Sequence, residues 1–168
     1  MKLKNRSFIN TLEFKPAELE FLLDRAAALK KSRGKKSGKR PLEGKSVALV
    51  FFNPSLRTRV SFEVGIAELG GQAVTMSVGS ESWTLEYREG AVMDQDKTEH
   101  IKDAARVLSR YVDAIAVRAF PGMKSLEEDL SDPVIAAFRK YAPVPVINME
   151  AALWHPCQGL ADALTVRE

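Results

Sequence analysis

The sequence predicts an α/β fold, a doubly wound, mainly parallel four-stranded sheet with helices on both faces. Apolar runs of strand length alternate along the chain with segments in which apolar residues recur at helical spacing. The chain has 168 residues, of which 45% are hydrophobic, and this suffices for one well-packed domain. We therefore expect residues 1–168 to form a single domain.

The apolar run from Val47 to Phe52 is continuous, which is typical of a strand buried on both faces of a parallel sheet. Three further runs predict the other strands, so that the four lie at 47–52, 73–78, 113–120 and 145–148. Helical spacing predicts helices at 16–31, 60–69, 101–111 and 133–141, and a last one that begins at 160. The polar stretch 79–98 is predicted to be irregular.

Composition indicates a cytoplasmic protein. Cys157 is the single cysteine, so the chain cannot form an intrachain disulfide, and a reducing compartment is expected. The N-terminal residues lack the apolar core of a secretory signal. No apolar stretch approaches the roughly 20 residues that cross a bilayer, so we expect no membrane association.

Basic residues crowd into segment 30–45, although the net charge is only +3. A patch of this kind can bind nucleic acid, or it can be a solvated loop. We favour the loop and expect no nucleic-acid partner, because no aromatic residue interrupts the basic ones. The basic residues are Lys30, Lys31, Arg33, Lys35, Lys36, Lys39, Arg40 and Lys45.

A candidate anion site follows the first predicted strand, where Ser55 precedes a helix rich in arginine. The first N–H groups of a helix lack internal partners and attract anions. Arg57 and Arg59 add guanidinium groups that match phosphate oxygens, and Thr58 adds a hydroxyl. The alternative is an ordinary helix cap at Ser55 with two surface arginines. We favour the anion site because no acidic residue follows until Glu63.

Polar side chains also follow the third and fourth predicted strands. Arg118 lies near the end of the third strand, where a buried guanidinium needs a partner, so a structural ion pair is the alternative to a ligand contact. His155 and Gln158 follow the fourth strand and are predicted to precede the last helix. Each of these is weak evidence alone, but three polar groups at three strand ends predict one shared crevice.

Segment 52–59 (Phe-Asn-Pro-Ser-Leu-Arg-Thr-Arg) and the Ser-Phe-Glu at 61–63 resemble the phosphate-loop signature of the aspartate and ornithine carbamoyltransferases. Segment 155–158 (His-Pro-Cys-Gln) resembles their second signature, with Cys157 where many members have threonine or leucine. Arg118 matches the arginine that follows their third strand. The resemblance covers the whole chain in the right order.

This resemblance implies attack by a substrate amine on the carbonyl of carbamoyl phosphate, a tetrahedral intermediate, and release of phosphate. It implies that Ser55, Arg57 and Thr58 hold the phosphate together with backbone N–H groups, including that of Leu56. Arg59 is expected to brace the loop. No metal or organic cofactor is expected, because the leaving group is already activated.

The family resemblance also assigns the carbonyl end of the ligand. Arg118 and His155 are expected to polarise the carbonyl oxygen, which becomes negative in the intermediate. Gln158 is expected to accept a hydrogen bond from the carbamoyl NH2 group and fix its orientation. With Arg57, these three residues form the predicted catalytic set.

Within the family, Trp83 and its flanking residues 82–87 resemble the tryptophan loop of the N-acetylornithine and N-succinylornithine carbamoyltransferases. Segments 93–94 and 148–150 match the same branch. This implies a homotrimer in which Trp83 reaches carbamoyl phosphate in a neighbouring subunit, and it implies that Glu150 binds the acylated amino substrate. The alternative for Trp83 is an aromatic packed on its own domain.

The resemblance does not decide whether the acyl group of the amino substrate is acetyl or succinyl. Acetyl-specific members resemble the segment around Thr98 but carry an acid there, and succinyl-specific members carry proline. Cys157 favours the acetyl branch, whereas Lys97, Ala151 and Ala152 look more like the succinyl branch. We favour acetyl slightly.

Family members are about twice this length, and their second domain carries the remaining amino-acid-binding residues. That second domain is absent from this chain, which is either an excised domain or a truncated gene product. We therefore expect the chain alone to be nearly inactive. The alternatives are an ordinary ornithine carbamoyltransferase and a noncatalytic phosphate-binding module.

Overall fold

A computed structural model describes residues 3–34, 40–94 and 97–168. The strands of the main sheet are separated by helices, as the hydrophobic pattern predicts. In chain order the elements are α1 (Pro16–Ser32), β1 (Ser46–Phe51), α2 (Arg57–Glu68), β2 (Gln72–Ser77), β3 (Leu85–Glu86), β4 (Glu99–His100), α3 (Ile101–Leu108), β5 (Ala114–Arg118), α4 (Leu126–Leu130), α5 (Pro133–Tyr141), β6 (Val146–Glu150) and α6 (Pro156–Arg167).

The main sheet has four strands in the order β2-β1-β5-β6, and every neighbouring pair is parallel. The predicted doubly wound sheet is confirmed. The chain leaves β1 toward β2 on one side and later returns to place β5 on the other side. In sheets of this kind, ligands bind at the carboxyl ends of the strands where the order changes direction, here between β1 and β5.

Both faces of the sheet are covered by helices, because successive side chains of a strand point to opposite faces. Ala48 and Val50 of β1 pack in one apolar cluster with Phe138 of α5. Leu49 lies between them in sequence and packs in a second cluster with Ile66 of α2. The continuous apolar run in β1 is thus explained by burial on both sides.

The last helix begins earlier than the sequence predicts. It was expected from Leu160, with the segment that holds His155 and Gln158 lying ahead of it, and this expectation is wrong because α6 begins at Pro156. Proline is favoured in the first turn of a helix, where its missing N–H group costs nothing. His155 is the N-cap residue, and Gln158 lies in the first turn.

The polar stretch 79–98 is less irregular than predicted, because β3 within it pairs in parallel with β4, which follows it. Strands of two residues carry no readable period, so the sequence could not reveal them. The five-residue helix α4 was not predicted for the same reason. Its start is fixed by Ser125, whose hydroxyl accepts a hydrogen bond from the N–H of Glu128.

The basic segment lies partly outside the described residues, which omit 35–39. Within the part that is described, three of its cations form ion pairs with carboxylates of this chain, and this lowers the positive charge available to a polyanion. The pairs are Lys30 with Glu168, Arg33 with Glu68, and Lys45 with Asp113.

In the described part of the chain, no helix is long and apolar enough to cross a membrane. Within those same ranges, no group of three or more histidine, cysteine, aspartate or glutamate side chains is placed to hold a metal ion.

Segment 86–97, which follows the loop that carries Trp83, is closed by the carboxylate of Glu86, which is 4% exposed. This carboxylate accepts hydrogen bonds from the backbone N–H groups of Tyr87 and Arg88 and from the Arg88 guanidinium, and it pairs with Lys97 at 3.1 Å. Burial alone would raise the pKa of Glu86, but these bonds outweigh it and lower the pKa to about 2. The carboxylate therefore joins the two ends of segment 86–97.

We predict that Glu86→Gln lowers the free energy of unfolding at pH 7 by about 2 kcal/mol, because the ionised carboxylate stabilises the folded state. The folded pKa is depressed, so this contribution is present above the ordinary value of 4.5 and disappears as the pH falls toward 2. Urea unfolding at a series of pH values measures it. The exposed Glu127→Gln is the control, and its unfolding free energy should change by less than about 0.5 kcal/mol. A wild-type advantage over Glu86→Gln that is equal at pH 7 and pH 2.5 would contradict the assignment.

Candidate functional site

The loop between β1 and α2 presents the start of a helix at the carboxyl edge of the sheet. Ser55 lies one residue ahead of the N-cap residue Leu56, and its hydroxyl oxygen accepts a hydrogen bond from the N–H of Thr58 at 3.3 Å. The first backbone bond of the α2 ladder runs from the N–H of Val60 to the carbonyl of Leu56. The N–H groups ahead of Val60 are thus outside that ladder, and the positive end of the helix dipole lies here. The hydrogen bond from Thr58 to Ser55 and the anion site are compatible, since one hydroxyl serves one N–H group.

The two arginines of this loop have different surroundings. Arg59 donates to the carboxylate of Glu63 at 3.1 Å, and Glu63 also accepts from the hydroxyl of Thr75 on β2 at 2.6 Å. Hydrogen bonds from Thr75 and Arg59 lower the pKa of the Glu63 carboxyl. Arg57 is exposed and makes no ion pair with any described residue. Arg59 therefore braces α2 against β2, and Arg57 is the cation left for a ligand.

The strand register places Arg118 opposite Phe51 of β1 on one side and opposite Glu150 of β6 on the other. Its side chain is 10% exposed, forms an ion pair with the Glu150 carboxylate, and donates to the hydroxyl of Thr58 at 3.3 Å. The guanidinium also lies 4.4 Å from the ring centre of Phe120. The structural ion pair that the sequence analysis offered as an alternative for Arg118 is present, with Glu150 as the partner. The same guanidinium also reaches Thr58 at the start of α2.

His155 joins this group through Glu150. Its Nε2 atom lies 3.4 Å from the Glu150 carboxylate, which is thus placed between the imidazole and Arg118. The Nδ1 atom of His155 is buried and has no hydrogen-bond partner among the described residues. The structure therefore brings Thr58, Arg118, Glu150 and His155 together where β1, β5 and β6 end.

Two predicted site residues have other surroundings. The amide nitrogen of Gln158 donates to the carboxylate of Asp162 one turn later at 2.7 Å, and this orients its oxygen as a free acceptor. Trp83 is 61% exposed, so most of its ring is not packed on this domain. Among the described residues, Trp83 has no side-chain hydrogen bond, ion pair or ring contact with the other predicted site residues.

Cys157 lies next to the site, but its thiol is expected to be unreactive. Burial raises the pKa of its thiol to about 11, so the thiolate that would act as a nucleophile is scarce at neutral pH. The thiol lies 3.8 Å from the backbone carbonyl of Asn148. Cys157 is therefore a packing residue of α6, and the chemistry of the site is left to charges and hydrogen bonds.

Sequence reasoning missed two features of the site. It did not predict that Phe120 stacks on Arg118, although the two residues are two apart and an extended chain places such residues on one face. It also did not predict that Glu150 is the partner of Arg118. The alignment of β5 with β6 includes an irregularity next to Arg118, and such a shift leaves no sequence signal.

The arrangement suits a small ligand that carries an anion next to a polar carbonyl group. The start of α2 and Arg57 offer N–H donors and positive charge to the anion. Arg118 and His155 offer donors to an adjacent oxygen near the ends of β5 and β6.

Comparison with known proteins identifies the family of the chain. Residues 6–168 match the carbamoyl-P binding domain of aspartate/ornithine carbamoyltransferases. The chain therefore belongs to the aspartate/ornithine carbamoyltransferase family, and the resemblance seen in its motifs is confirmed.

Relatives with assigned names cover the whole chain. It is 52% identical over 168 residues to the N-acetylornithine carbamoyltransferase of Xanthomonas campestris pv. campestris, covering 100% of this chain and 48% of that protein. It is 45% identical over 165 residues to the ornithine carbamoyltransferase of Acidothermus cellulolyticus, covering 97% of this chain and 45% of that protein. The chain spans about half the length of the curated relatives it matches.

Solved structures show the same fold. A crystal structure of acetylornithine transcarbamylase complexed with acetylcitrulline superposes with a TM-score of 0.90 at 51% identity, covering 96% of this chain and 47% of that one. A mutant of N-acetyl-L-ornithine transcarbamylase complexed with carbamyl phosphate and N-succinyl-L-norvaline gives a TM-score of 0.91 at 52% identity, with the same coverage.

Proposed function

We propose that this chain is the carbamoyl phosphate half-site of an enzyme that transfers the carbamoyl group to the side-chain amine of an N-acylated ornithine. The observation that carries the proposal is the convergence of the α2 loop, Arg118 and His155 at one edge of the sheet. The remaining amino-acid-binding residues are assigned to a second domain of the whole protein. A role in arginine biosynthesis and a cytoplasmic location stay predictions.

In the proposed reaction, the phosphate of the ligand lies at the start of α2. Ser55, Thr58 and the backbone N–H of Leu56 donate hydrogen bonds to its oxygens, and Arg57 adds a charge-assisted pair. These interactions strengthen as the leaving phosphate gains negative charge, so they stabilise the transition state more than the ground state.

The carbonyl of carbamoyl phosphate lies toward β5 and α6. Attack by the amine makes its oxygen negative, and Arg118 and His155 donate to that oxygen. The oxygen then competes with the Glu150 carboxylate for the Arg118 guanidinium. Gln158 accepts from the carbamoyl NH2 through its free amide oxygen, and Glu150 is left to accept from the incoming amine.

An acylated ornithine is favoured over free ornithine as the amino substrate. Support comes from the tryptophan-loop residues, from Glu150, and from the higher identity to N-acetylornithine carbamoyltransferases than to ornithine carbamoyltransferases. Acetyl is slightly favoured over succinyl. An ordinary ornithine carbamoyltransferase and a noncatalytic phosphate-binding module are the alternatives.

We propose further that the protein acts as a homotrimer in which Trp83 serves the carbamoyl phosphate site of a neighbouring subunit. The exposure of Trp83 supports this, because a tryptophan is costly to leave in water. Val92 and Met93, 76% and 44% exposed, add apolar surface in segment 86–97, which follows the Trp83 loop.

We predict that Arg57→Ala weakens phosphate binding to this chain about 30-fold, because it removes charge-assisted hydrogen bonds worth about 2 kcal/mol. Isothermal titration calorimetry with inorganic phosphate measures this. The control is Arg110→Ala, which removes the same charge just before β5, at the opposite edge of the sheet. Equal phosphate affinity in the wild type and Arg57→Ala would show that the loop is assigned wrongly.

For the whole protein, we predict much higher kcat/KM with N-acetylornithine than with ornithine, because an unpaired α-ammonium is costly to desolvate where the site expects a neutral amide. Thr98→Glu should lower kcat/KM for N-succinylornithine by about tenfold or more through repulsion of its carboxylate, and leave N-acetylornithine nearly unchanged. Thr98→Gln is the matched control without the charge. Ornithine proving the best of the three substrates would refute the acyl-ornithine assignment and leave the carbamoyl phosphate site intact.

A further inference from the structure

The turn between β6 and α6, residues 151–154, carries His155 into the site. The imidazole has no hydrogen bond at Nδ1 from the described residues, so no side chain there fixes the ring from behind. In many active sites a carboxylate or carbonyl at this nitrogen sets the direction of the ring. The Glu150 carboxylate lies 3.4 Å from Nε2 on the opposite side of the ring, and the other constraint on its direction is the backbone of the turn that precedes His155.

Two polar side chains hold that turn. The amide nitrogen of Asn148, which is fully buried, donates to the carbonyls of Trp154 at 3.3 Å and Ile9 at 3.0 Å. On the other side, the carboxylate of Asp132 accepts from the N–H of Ala152 at 2.8 Å and also from that of Leu153. The turn is thus tied to the core by Asn148 and to the start of α5 by Asp132.

Asp132 occupies an unusual conformation for its place in the chain. It is the N-cap residue of α5, where an aspartate normally has an extended backbone and accepts from its own helix. Its backbone is instead left-handed, with φ 45° and ψ 55°, and its side chain makes no cap bond. The next residue is Pro133, which disfavours helical backbone angles in the residue before it.

This conformation costs stability in two ways. A left-handed backbone is unfavourable for a residue with a Cβ atom. Burial raises the pKa of the Asp132 carboxyl, although the N–H groups of Ala152 and Leu153 lower it. The Asp132 side chain binds the N–H groups of a neighbouring turn and none of its own helix, and this indicates that the position of the turn matters.

We infer that Asp132 is a positioning residue for His155: its carboxylate fixes the N–H groups of Ala152 and Leu153, and through them the direction of the imidazole. Its importance for carbamoyl transfer rests on the proposed function. The positioning itself does not, and it can be measured without ligand.

Two variants of Asp132 separate the carboxylate from the backbone. Asp132→Gly keeps the left-handed backbone at no steric cost and removes both hydrogen bonds. Asp132→Asn also tolerates this backbone, keeps one acceptor oxygen for Ala152, and loses the bond from Leu153. The matched control is Asp129→Asn, because Asp129 also accepts from two consecutive backbone N–H groups, those of Gly122 and Met123, which lie outside the turn before α6.

The imidazole signals of the chain can be followed by 1H–13C NMR. The chain has two histidines, and the signal lost in His155→Gln identifies His155. We expect the His155 signals to move most in Asp132→Gly, less in Asp132→Asn, and not in Asp129→Asn. Unchanged His155 signals in a folded Asp132→Gly would overturn the inference. If that variant does not fold, Asp132→Asn decides, and His155 signals that move no more than in Asp129→Asn would overturn it.

Ligand binding gives a second readout that separates this inference from the proposed function. In Asp132→Gly, or in Asp132→Asn if the glycine variant does not fold, phosphate affinity should be unchanged because the α2 loop is untouched. Affinity for carbamoyl phosphate should fall in Asp132→Gly about tenfold, and by less in Asp132→Asn, because its carbonyl loses an aligned donor. Equal losses for both ligands would indicate a general structural role and overturn the positioning role. Failure of the wild type to bind either ligand would refute the proposed function, and the NMR comparison would still decide the role of Asp132.

Discussion

A buried guanidinium has to be neutralised, and at the carboxyl edge of this sheet the carboxylate of Glu150 neutralises Arg118. The pair spans adjacent strands, β5 and β6, whose backbones are also joined by the hydrogen bond from Ala119 to Glu150 at 3.0 Å. Since Arg118 also reaches Thr58 on α2, one charge links three elements that are far apart in sequence. Removing Glu150 would leave that charge buried and unpaired.

In the proposed reaction, the Glu150 carboxylate of this pair competes with the ligand for the Arg118 guanidinium. A ligand oxygen that accepts from Arg118 takes the place of the Glu150 carboxylate, and Glu150 is then free to accept from another donor. His155, which lies 3.4 Å from the same carboxylate, is affected by the same exchange. The site can therefore hold its cations in place before a ligand arrives, and the anionic ligand replaces an anion of the protein. Such preorganised donors need little rearrangement during a reaction.

The main sheet and the anion site at the start of α2 could be predicted from the sequence. The apolar run before Ser55 fixes the position of β1, and a helix rich in arginine after a buried strand predicts an anion site by simple electrostatics. The ends of helices and strands were harder to predict than their approximate positions. Helix α6 begins at Pro156, with His155 as its N-cap residue, but its apolar spacing is clear only from Leu160. The pairing of Arg118 with Glu150 depends on strand register, which local patterns do not contain. The contact of Asp132 with the 152–153 turn depends on how α5 packs beside β6, and local patterns do not contain this either. The exposure of Trp83 was visible only in the structure.

We propose that one small ligand contacts the start of α2, β5 and the turn before α6 at the same time. NMR spectra of 15N-labelled chain, recorded during titration with freshly prepared carbamoyl phosphate, test this most directly. We expect saturable shifts of the backbone N–H signals of residues 56–58, of the Arg118 side-chain N–H and of the His155 ring, all with one dissociation constant. Shifts confined to segment 30–45, with residues 56–58 and Arg118 unmoved, would contradict it.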